Sequence, residues 1–410
     1  MSLMQYVIPR QARSRLKQAV GLQQLHKRVH DVERALPTLA DHLRHLEKCI
    51  AEPSDPRLLI PVPPWYDPQF CEPTVAMALR DLCRPGDVVF DVGAHAGSLS
   101  LLMSRLVGLT GSVWSFEASR RMVITCQHNL VLNGCNNVQL FHKAVFATSN
   151  EAVKIYHTDA NNDTIMETWP HNETYDEVET VALDDFVEHG QVYPSLIKLD
   201  IEGAEYDALK GSERLLAGRH PMLIVEQQPP DSPCFAFLRE RGYTAIDLST
   251  YREVRTPDDY PTGAVVVNVL YIHQSQIDRS PYRPPLQGEL VQRIGKDDFL
   301  TEPNGDVRLK RRFDLETGRY LVATEIVAGG PDNEVHIGVQ GDRTDLLRYH
   351  GDTAWLAQSY RDWIIDLRRK KSIDLFVRFL RGSCDPGLEF KSAAIYRFPA
   401  LSNLRRLDFA

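Results

Sequence analysis

The chain has 410 residues, of which 43% are hydrophobic and 25% charged, and its formal net charge at pH 7 is −8. This composition is typical of folded globular proteins and excludes wholesale disorder, and the negative charge makes nucleic acid an unexpected partner of the whole chain. No apolar run approaches the roughly 18–20 residues that cross a bilayer, and the N-terminus lacks the apolar core of a secretory signal. The seven cysteines are widely spaced without a C-x-x-C pair. We therefore expect reduced thiols in a cytoplasmic protein.

Residues 1–51 carry the heptad pattern of a coiled-coil helix. Apolar residues alternate in steps of three and four, which is the spacing of the a and d positions. These residues are Leu22, Leu25, Val29, Val32, Leu36, Leu39, Leu43, Leu46 and Ile50. Pro37 falls inside the run and is expected to kink the helix. The pattern predicts self-association as a homo-oligomer, with an amphipathic helix packed on its own domain as the alternative, and it does not decide between a dimer and a trimer.

The same segment is basic. From Arg10 to Lys48 it holds nine Lys and Arg residues and four Asp and Glu residues, a net charge of +5. A solvated helix surface accounts for this charge, and attraction to an anionic membrane face is the alternative. Peripheral contact with the inner face of the membrane is therefore a second hypothesis beside a plain cytoplasmic location.

Residues 52–74 are expected to form a stiff linker, because seven prolines lie between Pro53 and Pro73. Residues 75–279 then alternate short β-branched apolar segments with helical ones, and a polar hairpin-like insert precedes the fourth strand. The predicted strands are 88–93, 112–118, 138–145, 195–200, 222–227, 244–249 and 264–272. This alternation predicts a mainly parallel sheet with helices on both faces.

After a second proline-rich break at 280–288, the pattern changes to the period-two alternation of half-buried strands. Residues 286–410 are therefore predicted to form an antiparallel β-sandwich. Aromatic residues interleave with Arg and Asp in this region, at Tyr320, Tyr349, Trp355, Tyr360 and Trp363. They are explained either as core residues or as the platforms of a carbohydrate-binding face.

The segment V-F-D-V-G-A-H-A-G contains the main candidate residues for a ligand site. A predicted strand ends at Asp91 and the chain turns through Gly93 and Gly97, where glycines let the backbone pass close to a ligand. Glu117 ends the next strand, which is the usual place of a carboxylate that binds ribose hydroxyls. The chain has G-x-x-x-G rather than the G-x-G-x-x-G of dinucleotide sites, so S-adenosylmethionine is the favoured nucleoside cofactor.

This segment, together with W-S-F-E-A-S, A-L-D-D-F, I-K-L-D-I-E-G-A-E-Y and I-V-E-Q, resembles the FkbM-type class I methyltransferases. The similarity covers residues 75–275, roughly half the chain, and D-x-E-G-x-E is its most specific part. The resemblance implies a Rossmann-like, doubly wound, seven-stranded α/β domain. It also implies S-adenosylmethionine as cofactor and methyl transfer to an oxygen, often on a sugar or natural product.

The resemblance assigns one set of residues to the cofactor, namely Asp91, Gly93, His95, Gly97, Glu117, Ala118, Ala144 and Val145. The end of the first strand and its glycine turn would hold the methionine part. Glu117 would bind the ribose, and Ala118 would lie along the ribose and the adenine. Ala144 and Val145, at the end of the third strand, would flank the adenine. His95 stands where family members more often carry Asn, and a plain histidine at the start of a helix is its alternative role.

Substrate handling is expected at an acidic cluster at the ends of the fourth and fifth strands. Asp200 and Glu226 end these strands at the carboxyl edge, and Glu202 follows within one turn. Lys198 lies two residues before Asp200, so both side chains leave the same face of the strand. We expect Asp200 or Glu202 to remove the hydroxyl proton and Glu226 to hydrogen-bond neighbouring sugar hydroxyls. Two alternatives are that the carboxylates hold Mg²⁺, and that Glu202 and Glu205 only cap a helix N-terminus.

Three functions stay open from the sequence. The favoured one is an S-adenosylmethionine-dependent O-methyltransferase that acts on a sugar hydroxyl of a glycan or polysaccharide, with the coiled coil and the sandwich holding the polymer near several active sites. An O-methyltransferase of a small-molecule or polyketide natural product differs only in the acceptor. A non-catalytic, oligomeric glycan-binding scaffold is the third, and the complete set of expected cofactor residues argues against it.

Overall fold

The structure is a computed structural model, which describes residues 72–402 with internal gaps. The residues not described inside this range are 158–162, 166–173, 229–232, 261–265, 302–306, 311, 328–333, 341–347, 353–359, 368–369 and 382–388. The expected coiled coil at 1–51 and nearly all of the expected linker lie outside the described residues. None of the helices in the described part is long and apolar enough to cross a membrane.

The central part of the chain alternates helices and strands, as the sequence predicts. Its helices are α1 (Pro73–Leu82), α2 (Ser98–Val107), α3 (Arg120–Leu132), α4 (Leu183–Gly190), α5 (Glu205–Lys210), α6 (Glu213–Arg219) and α7 (Pro233–Glu240). Its strands are β1 (Val88–Val92), β2 (Ser112–Glu117), β3 (Val138–His142), β4 (Ala144–Val145), β5 (Ala152–Tyr156), β6 (Tyr175–Val181), β7 (Leu196–Leu199), β8 (Met222–Gln227), β9 (Tyr243–Asp247), β10 (Glu253–Val254) and β11 (Val267–His273).

Most of these strands form one eight-stranded sheet in the order β10-β9-β11-β8-β7-β1-β2-β3. Neighbouring strands run parallel from β3 to β8, whereas β11 runs antiparallel to both β8 and β9. The expected Rossmann-like α/β sheet is therefore confirmed. It has eight strands rather than the expected seven because the two-residue strand β10 pairs with β9 at the edge.

Apolar side chains fill both faces of this sheet, as a parallel sheet covered on two sides requires. Val89 and Phe90 are successive residues of β1, both fully buried, and they belong to two different hydrophobic cores. Helices α1 and α2 pack on the Val89 side, and helices α4 to α7 pack on the Phe90 side. Because both faces are covered, a ligand is expected at the edge where the parallel strands end.

A small three-stranded sheet, in the order β4-β6-β5, follows the end of β3. Lys143 interrupts the strand that was expected at 138–145, so that β3 stays in the main sheet and β4 pairs with β6. Strands β5 and β6 are the antiparallel pair that the polar segment predicts. Asp163 and Ile165, which lie between these two strands, line the cavity that is described below.

The chain beyond this domain is antiparallel β-structure. Its strands are β12 (Glu289–Gly295), β13 (Phe299–Thr301), β14 (Val307–Leu309), β15 (Phe313–Leu315), β16 (Gly318–Val327), β17 (Glu334–Gln340), β18 (Arg348–Asp352), β19 (Tyr360–Leu367), β20 (Lys371–Arg381) and β21 (Glu389–Arg397), followed by helix α8 (Pro399–Ser402). One sheet has the order β12-β21-β16-β19, and another has the order β13-β14-β20-β17-β18 with β15 beside β20. The expected antiparallel strands are present, and their packing as a sandwich stays a prediction.

Tyr320 is one of the aromatic residues that the sequence left open between core and carbohydrate platform. It is 2% exposed, and its hydroxyl donates a hydrogen bond to the Glu316 carbonyl at 2.9 Å. Tyr320 is therefore a core residue. Trp355 lies outside the described residues, and the carbohydrate-binding role of the remaining aromatic residues stays a prediction.

A buried ion pair joins the antiparallel sheets to helix α1. Arg319 on β16 donates to both carboxylate oxygens of Asp81, at 3.1 Å for the Nη2–Oδ1 bond, and the Tyr282 hydroxyl also donates to Asp81. Arg319 donates further to Asp366 on β19 at 3.2 Å. Arg319 and Asp81 are only 3% and 5% exposed. Removal of Arg319 would leave the Asp81 carboxylate buried without its counter-charge, whereas Arg319 would keep Asp366 if Asp81 were removed.

We predict that Arg319→Ala lowers the free energy of unfolding by about 3–5 kcal/mol, because Asp81 is left buried without its counter-charge. Replacing both partners together, as Asp81→Leu with Arg319→Met, should cost less because neither charge remains. The exposed pair of Arg283 and Asp278 supplies the control, since Arg283→Ala should change this free energy by less than about 1 kcal/mol. Urea denaturation measures all three, and equal losses for the two Arg→Ala variants would contradict the prediction.

Candidate active site

A cavity of about 280 Å³ lies where β1, β2, β7 and β8 end. Its lining includes most of the residues that the sequence predicts for the site, namely Gly93, His95, Glu117, Ala118, Ala144, Val145, Lys198, Asp200, Glu202 and Glu226. The structure thus brings the predicted cofactor residues and the predicted substrate residues to a single place. Asp91 and Gly97 are not part of the lining.

The cavity wall is apolar on one side and charged on the other. Four apolar residues that line the cavity pack together, namely Ala118, Ala144, Ile155 and Ile165. Most of the charged residues lie at or just after the ends of β7 and β8, one precedes α1, and they interact electrostatically with one another. We call these two regions the apolar side and the charged end. The charged end consists of Glu72, Lys198, Asp200, Glu202 and Glu226.

Glu117 adjoins the apolar side and is held by backbone donors. Its carboxylate accepts hydrogen bonds from the N–H groups of His95 and Ser119, both at 2.7 Å. His95 delivers its N–H from a left-handed conformation with a φ of 50°. Burial raises the pKa of Glu117 to about 7 in spite of these two bonds. Because each carboxylate oxygen can accept a second hydrogen bond, Glu117 can also bind two neighbouring hydroxyl groups.

Gly93 is required by the close approach of two backbone segments. Its φ is +82°, and a Cβ at this position would lie 1.7 Å from the Asp200 carbonyl oxygen. The turn after β1 therefore packs directly on the end of β7. This contact places Asp200 at a fixed position next to the turn. Gly93 therefore supports the site by allowing the two backbone segments to pack closely.

Asp91 and Gly97 support the cavity from outside its lining. Asp91 is fully buried, accepts a hydrogen bond from the Ser100 hydroxyl through Oδ2, and has its pKa raised by burial. Its Oδ1 has no hydrogen-bond partner among the described residues. Gly97 has a φ of +85°, and a Cβ there would lie 2.7 Å from the sulfur of Cys126. Contact of these two residues with a cofactor stays a prediction.

Lys198 organises the charged end. Its ammonium lies 2.9 Å from Asp200 Oδ2 and donates to the Gly93 carbonyl at 3.4 Å. Burial alone would lower the pKa of Lys198, but Asp200, Glu72 and Asp91 raise it above its ordinary value. Burial likewise opposes ionisation of Asp200, yet the Lys198 ammonium holds the pKa of this carboxyl below its ordinary value. Asp200 is therefore ionised at neutral pH.

Glu226 and Glu202 titrate differently from Asp200. Burial and the charges of Asp200 and Glu202 raise the pKa of Glu226 to about 10, so at neutral pH it is protonated and donates a hydrogen bond to Asp200. Burial and the charges of Asp200 and Glu205 raise the pKa of Glu202 to about 7. Glu202 also has a φ of 53°, a conformation that residues other than glycine adopt uncommonly. Glu202 can therefore exchange a proton near neutral pH.

Glu205 serves the loop rather than the cavity. Its Oε1 accepts hydrogen bonds from the backbone N–H groups of Ile201 at 2.8 Å and Gly203 at 3.2 Å. These bonds hold the turn that carries Glu202. Glu205 therefore holds the turn before α5 rather than capping the helix, and Glu202 itself lines the cavity.

Asp200, Glu202 and Glu226 each offer a carboxylate oxygen within 4.8 Å of the other two. Oxygen ligands of this kind are the ones that Mg²⁺ prefers. However, the Lys198 ammonium lies 2.9 Å from Asp200 Oδ2, so a cation already balances this carboxylate and would repel a divalent ion bound beside it. The three groups therefore fit a divalent metal poorly, and no step through a metal is derived.

The insert between β5 and β6 lines the cavity, which the sequence did not indicate. Asp163 is part of the lining, and its carboxylate accepts hydrogen bonds from the Ser119 hydroxyl at 2.6 Å and from Arg121 Nε at 2.8 Å. The hydroxyl of Thr164 donates to the Glu202 carbonyl at 2.9 Å. The insert thus touches both the helix after β2 and the loop after β7. No motif marks these residues, because their contacts depend on how the insert folds back.

Glu72 is a further lining residue that the sequence analysis did not single out. It directly precedes Pro73, the first residue of α1. An acid directly before a proline at a helix start is the available signal, and in the sequence it falls at the end of the predicted linker.

The family model of the methyltransferase FkbM domain matches residues 91–245. Residues 91–245 form an FkbM methyltransferase domain. The resemblance that the sequence motifs predict is thereby confirmed for the central part of the chain.

Two curated relatives match short segments of the chain. The 23S rRNA (uracil(1939)-C(5))-methyltransferase RlmD of Psychrobacter arcticus is 40% identical over 67 residues, which are 16% of this chain and 13% of that protein. The ribosomal protein L11 methyltransferase of Caldanaerobacter subterraneus is 36% identical over 63 residues, which are 15% of this chain and 20% of that protein. The chain therefore spans no more than a fifth of the length of these relatives. Among solved structures, methyltransferase FkbM from Methylobacillus flagellatus is 17% identical, with a TM-score of 0.31 over 50% of this chain and 51% of that one.

The FkbM domain fits S-adenosylmethionine at this cavity. Glu117 offers a carboxylate for the ribose hydroxyls, and the apolar side offers walls for the adenine. At the charged end, Oε2 of Glu72 is a buried acceptor without a partner among the described residues, which suits a cationic group. These three features match the three chemical parts of the cofactor.

We predict that Gly93→Ala disrupts the site, because its Cβ would collide with the Asp200 backbone in addition to the strain of a positive φ. Gly108→Ala is the matched control, since Gly108 also has a positive φ, +64°, but no atom within 4 Å of an added Cβ. The control should lose only the roughly 1–3 kcal/mol of unfolding free energy that a strained backbone conformation costs. Thermal unfolding and calorimetric binding of S-adenosylhomocysteine measure both variants. Equal effects of the two substitutions would contradict the role given to Gly93.

Proposed function

We propose that the FkbM domain is an S-adenosylmethionine-dependent O-methyltransferase whose acceptor is a sugar hydroxyl of a glycan or polysaccharide. The observation that carries the proposal is that one cavity holds both Glu117 with its apolar surroundings and the carboxyl groups of Asp200, Glu202 and Glu226. A carboxylate suited to ribose hydroxyls and candidate proton acceptors thus share one cavity. Methyl transfer to a hydroxyl requires this combination.

S-Adenosylmethionine supplies, when bound, an activated methyl group on a sulfonium and leaves as a neutral thioether. The protein then has two tasks, which are to hold the acceptor oxygen in line with the methyl group and to accept the hydroxyl proton. Positioning falls to the hydrogen-bonding groups of the charged end. Acceptance of the proton falls to a carboxylate whose pKa lies near the working pH.

Glu202 is the better base of the two that the sequence left open. Its pKa is raised to about 7 by burial and neighbouring charges, so it is partly ionised at neutral pH and binds a proton well. Asp200 is ionised, but its ion pair with Lys198 makes it a weak proton acceptor. We assign Asp200 and the protonated Glu226 to hydrogen bonds with neighbouring hydroxyls of the acceptor.

The charged end suits a sugar better than a nucleic acid. Vicinal hydroxyls both donate and accept, and they match an ionised Asp200 beside a protonated Glu226. Phosphate groups would instead meet the carboxylates of this end and a chain of net charge −8. The RNA substrate named for one of the relatives is therefore not transferred to this chain. A small-molecule or polyketide alcohol differs from a sugar only in the acceptor and is the alternative.

We assign supporting roles to the two flanking regions. The antiparallel sheets would bind the glycan, and residues 1–51 would assemble a homo-oligomer, so that avidity keeps a polymer near several active sites. The protein would work in the cytoplasm, and its basic N-terminal segment would let it lie against the inner face of the membrane.

The proposed function predicts transfer of a labelled methyl group from S-adenosylmethionine to a hydroxyl oxygen of a sugar, which becomes a methyl ether. A panel of oligosaccharides, polyketide alcohols and ribosomal RNA fragments, analysed by mass spectrometry, identifies the acceptor. The rate should be unchanged in excess EDTA, because the Lys198 ammonium already balances the Asp200 carboxylate. Methylation of RNA alone would contradict the acceptor class, and loss of activity in EDTA would contradict the metal-free site.

Glu202→Gln should lower kcat by about 10²–10⁴-fold, because the variant cannot accept the proton. The wild-type rate should rise with pH through a pKa of about 7, since the base must be ionised, and this rise should vanish in the variant. Asp200→Asn should lower the rate but keep the rise. Glu213→Gln, an exposed acid bound to Arg241, is the control and should behave as wild type. A pH profile for Glu202→Gln equal to that of wild type would remove Glu202 as the base.

A further inference from the structure

Glu72 is a carboxyl group in the cavity wall that the proposed mechanism does not use. It lines the cavity at the position directly before α1. Its Oε2 is buried and has no hydrogen-bond partner among the described residues. Since buried polar atoms are normally satisfied, a donor is expected to reach this oxygen when the cavity is filled.

The surroundings of Glu72 indicate the charge of that donor. The charged groups that act on Glu72 are Lys198, Asp200 and Asp91, so Glu72 belongs to the charged end of the cavity. The Lys198 ammonium is bound to Asp200 and to the Gly93 carbonyl. Burial raises the pKa of Glu72 to about 7 although Lys198 opposes the shift. A cation next to Glu72 would stabilise its ionised form.

Two of the three chemical parts of the cofactor fit other regions of the cavity, so the third part is assigned to the charged end. Adenine is flat and apolar and suits the apolar side, and the ribose suits the Glu117 carboxylate. What is left is the amino-acid part, which carries an α-ammonium and an α-carboxylate. The ammonium is a cation with three donors, and it has the chemistry that a buried, unpaired carboxylate oxygen binds.

Among the cavity-lining acids of the charged end, Glu72 is the one free for this role. Asp200 is paired with Lys198, and Glu226 is protonated and donates to Asp200. Glu202 stands as the base at the acceptor. Oε2 of Glu72 is the buried oxygen of this group without a partner among the described residues.

We propose that Glu72 binds the α-ammonium group of S-adenosylmethionine, and equally that of S-adenosylhomocysteine. This role rests on the proposed function. The ammonium donates a charge-assisted hydrogen bond to Oε2 of Glu72 and neutralises its buried charge. Glu72 is thus a cofactor-binding residue and takes no proton from the acceptor.

Helix α1 holds Glu72 in position before the cofactor arrives. Val75 and Leu79 are fully buried in the core, and Asp81 near the other end of the helix is bound by Arg319. The helix is therefore fastened at both its apolar face and its C-terminal end. Because this carboxylate is already in position, binding does not carry the entropic cost of ordering it.

The test uses calorimetric titration with two ligands that differ in one group. The first is S-adenosylhomocysteine, and the second is the analogue in which hydrogen replaces the α-amino group. Wild type should bind the first ligand more tightly. Glu72→Gln should weaken binding of S-adenosylhomocysteine by about 10- to 100-fold, as loss of a hydrogen bond between charged groups does. Its affinity for the deamino analogue should change by less than about threefold.

Glu117→Ala is the matched comparison, because the ribose is present in both ligands and both should bind more weakly. Equal affinities of wild type for the two ligands, or equal losses for the two ligands in Glu72→Gln, would overturn the role of Glu72 while leaving the proposed function in place. The comparison of the two ligands in wild type tests the role of Glu72 even if Glu72→Gln does not fold. Failure of wild type to bind S-adenosylhomocysteine at all would overturn the proposed function, and the role of Glu72 with it.

Discussion

The charged end of the cavity depends on the buried ammonium of Lys198. This group is 3% exposed, and its removal from water is compensated by Asp200 at 2.9 Å and by the negative potential of Glu72 and Asp91. Burial, together with the negative charge of the ionised Asp200, raises the pKa of Glu226 to about 10 and that of Glu202 to about 7. At neutral pH Asp200 is therefore a hydrogen-bond acceptor, Glu226 is a donor, and Glu202 can exchange a proton.

The protein positions this cluster through close backbone contacts and through helix α1. The turn at Gly93 packs on the Asp200 carbonyl, so the first and fourth strands of the parallel sheet meet without an intervening side chain. Helix α1 presents Glu72 to the cavity and is bound at Asp81 by Arg319 of the antiparallel sheets. The two halves of the described chain are therefore joined at a helix whose N-terminal end reaches the site.

Much of this fold follows from local sequence patterns. The strands of the main sheet are short β-branched segments between helical ones, and the residues at their carboxyl ends meet because parallel strands end at one edge. The sequence could not show the break at Lys143, which arises because Ala144 pairs with β6 instead of continuing β3. It also could not show the pairing of Asp81 with Arg319, which are 238 positions apart in sequence.

Local sequence patterns likewise predict some features of the site but not others. Glu117, Asp200 and Glu226 were predictable because each stands at or next to a strand end, where the fold class alone indicates a ligand edge. The sequence could not show that Glu202 is a better base than Asp200, because this choice depends on burial and on the ion pair with Lys198. Local pattern places residues at an edge of the sheet, whereas protonation depends on all the charges that the fold brings together.

The central claim is that the cavity at the carboxyl edge is the cofactor site. Hydrogen exchange of the full chain, with and without S-adenosylhomocysteine, tests this claim most directly. The account predicts slower exchange of backbone amides in the segments that surround the cavity, at 92–98, 117–119, 144–146 and 199–205, and unchanged exchange in β17 and β20. No protection in these segments, or protection confined to the antiparallel sheets, would contradict the account.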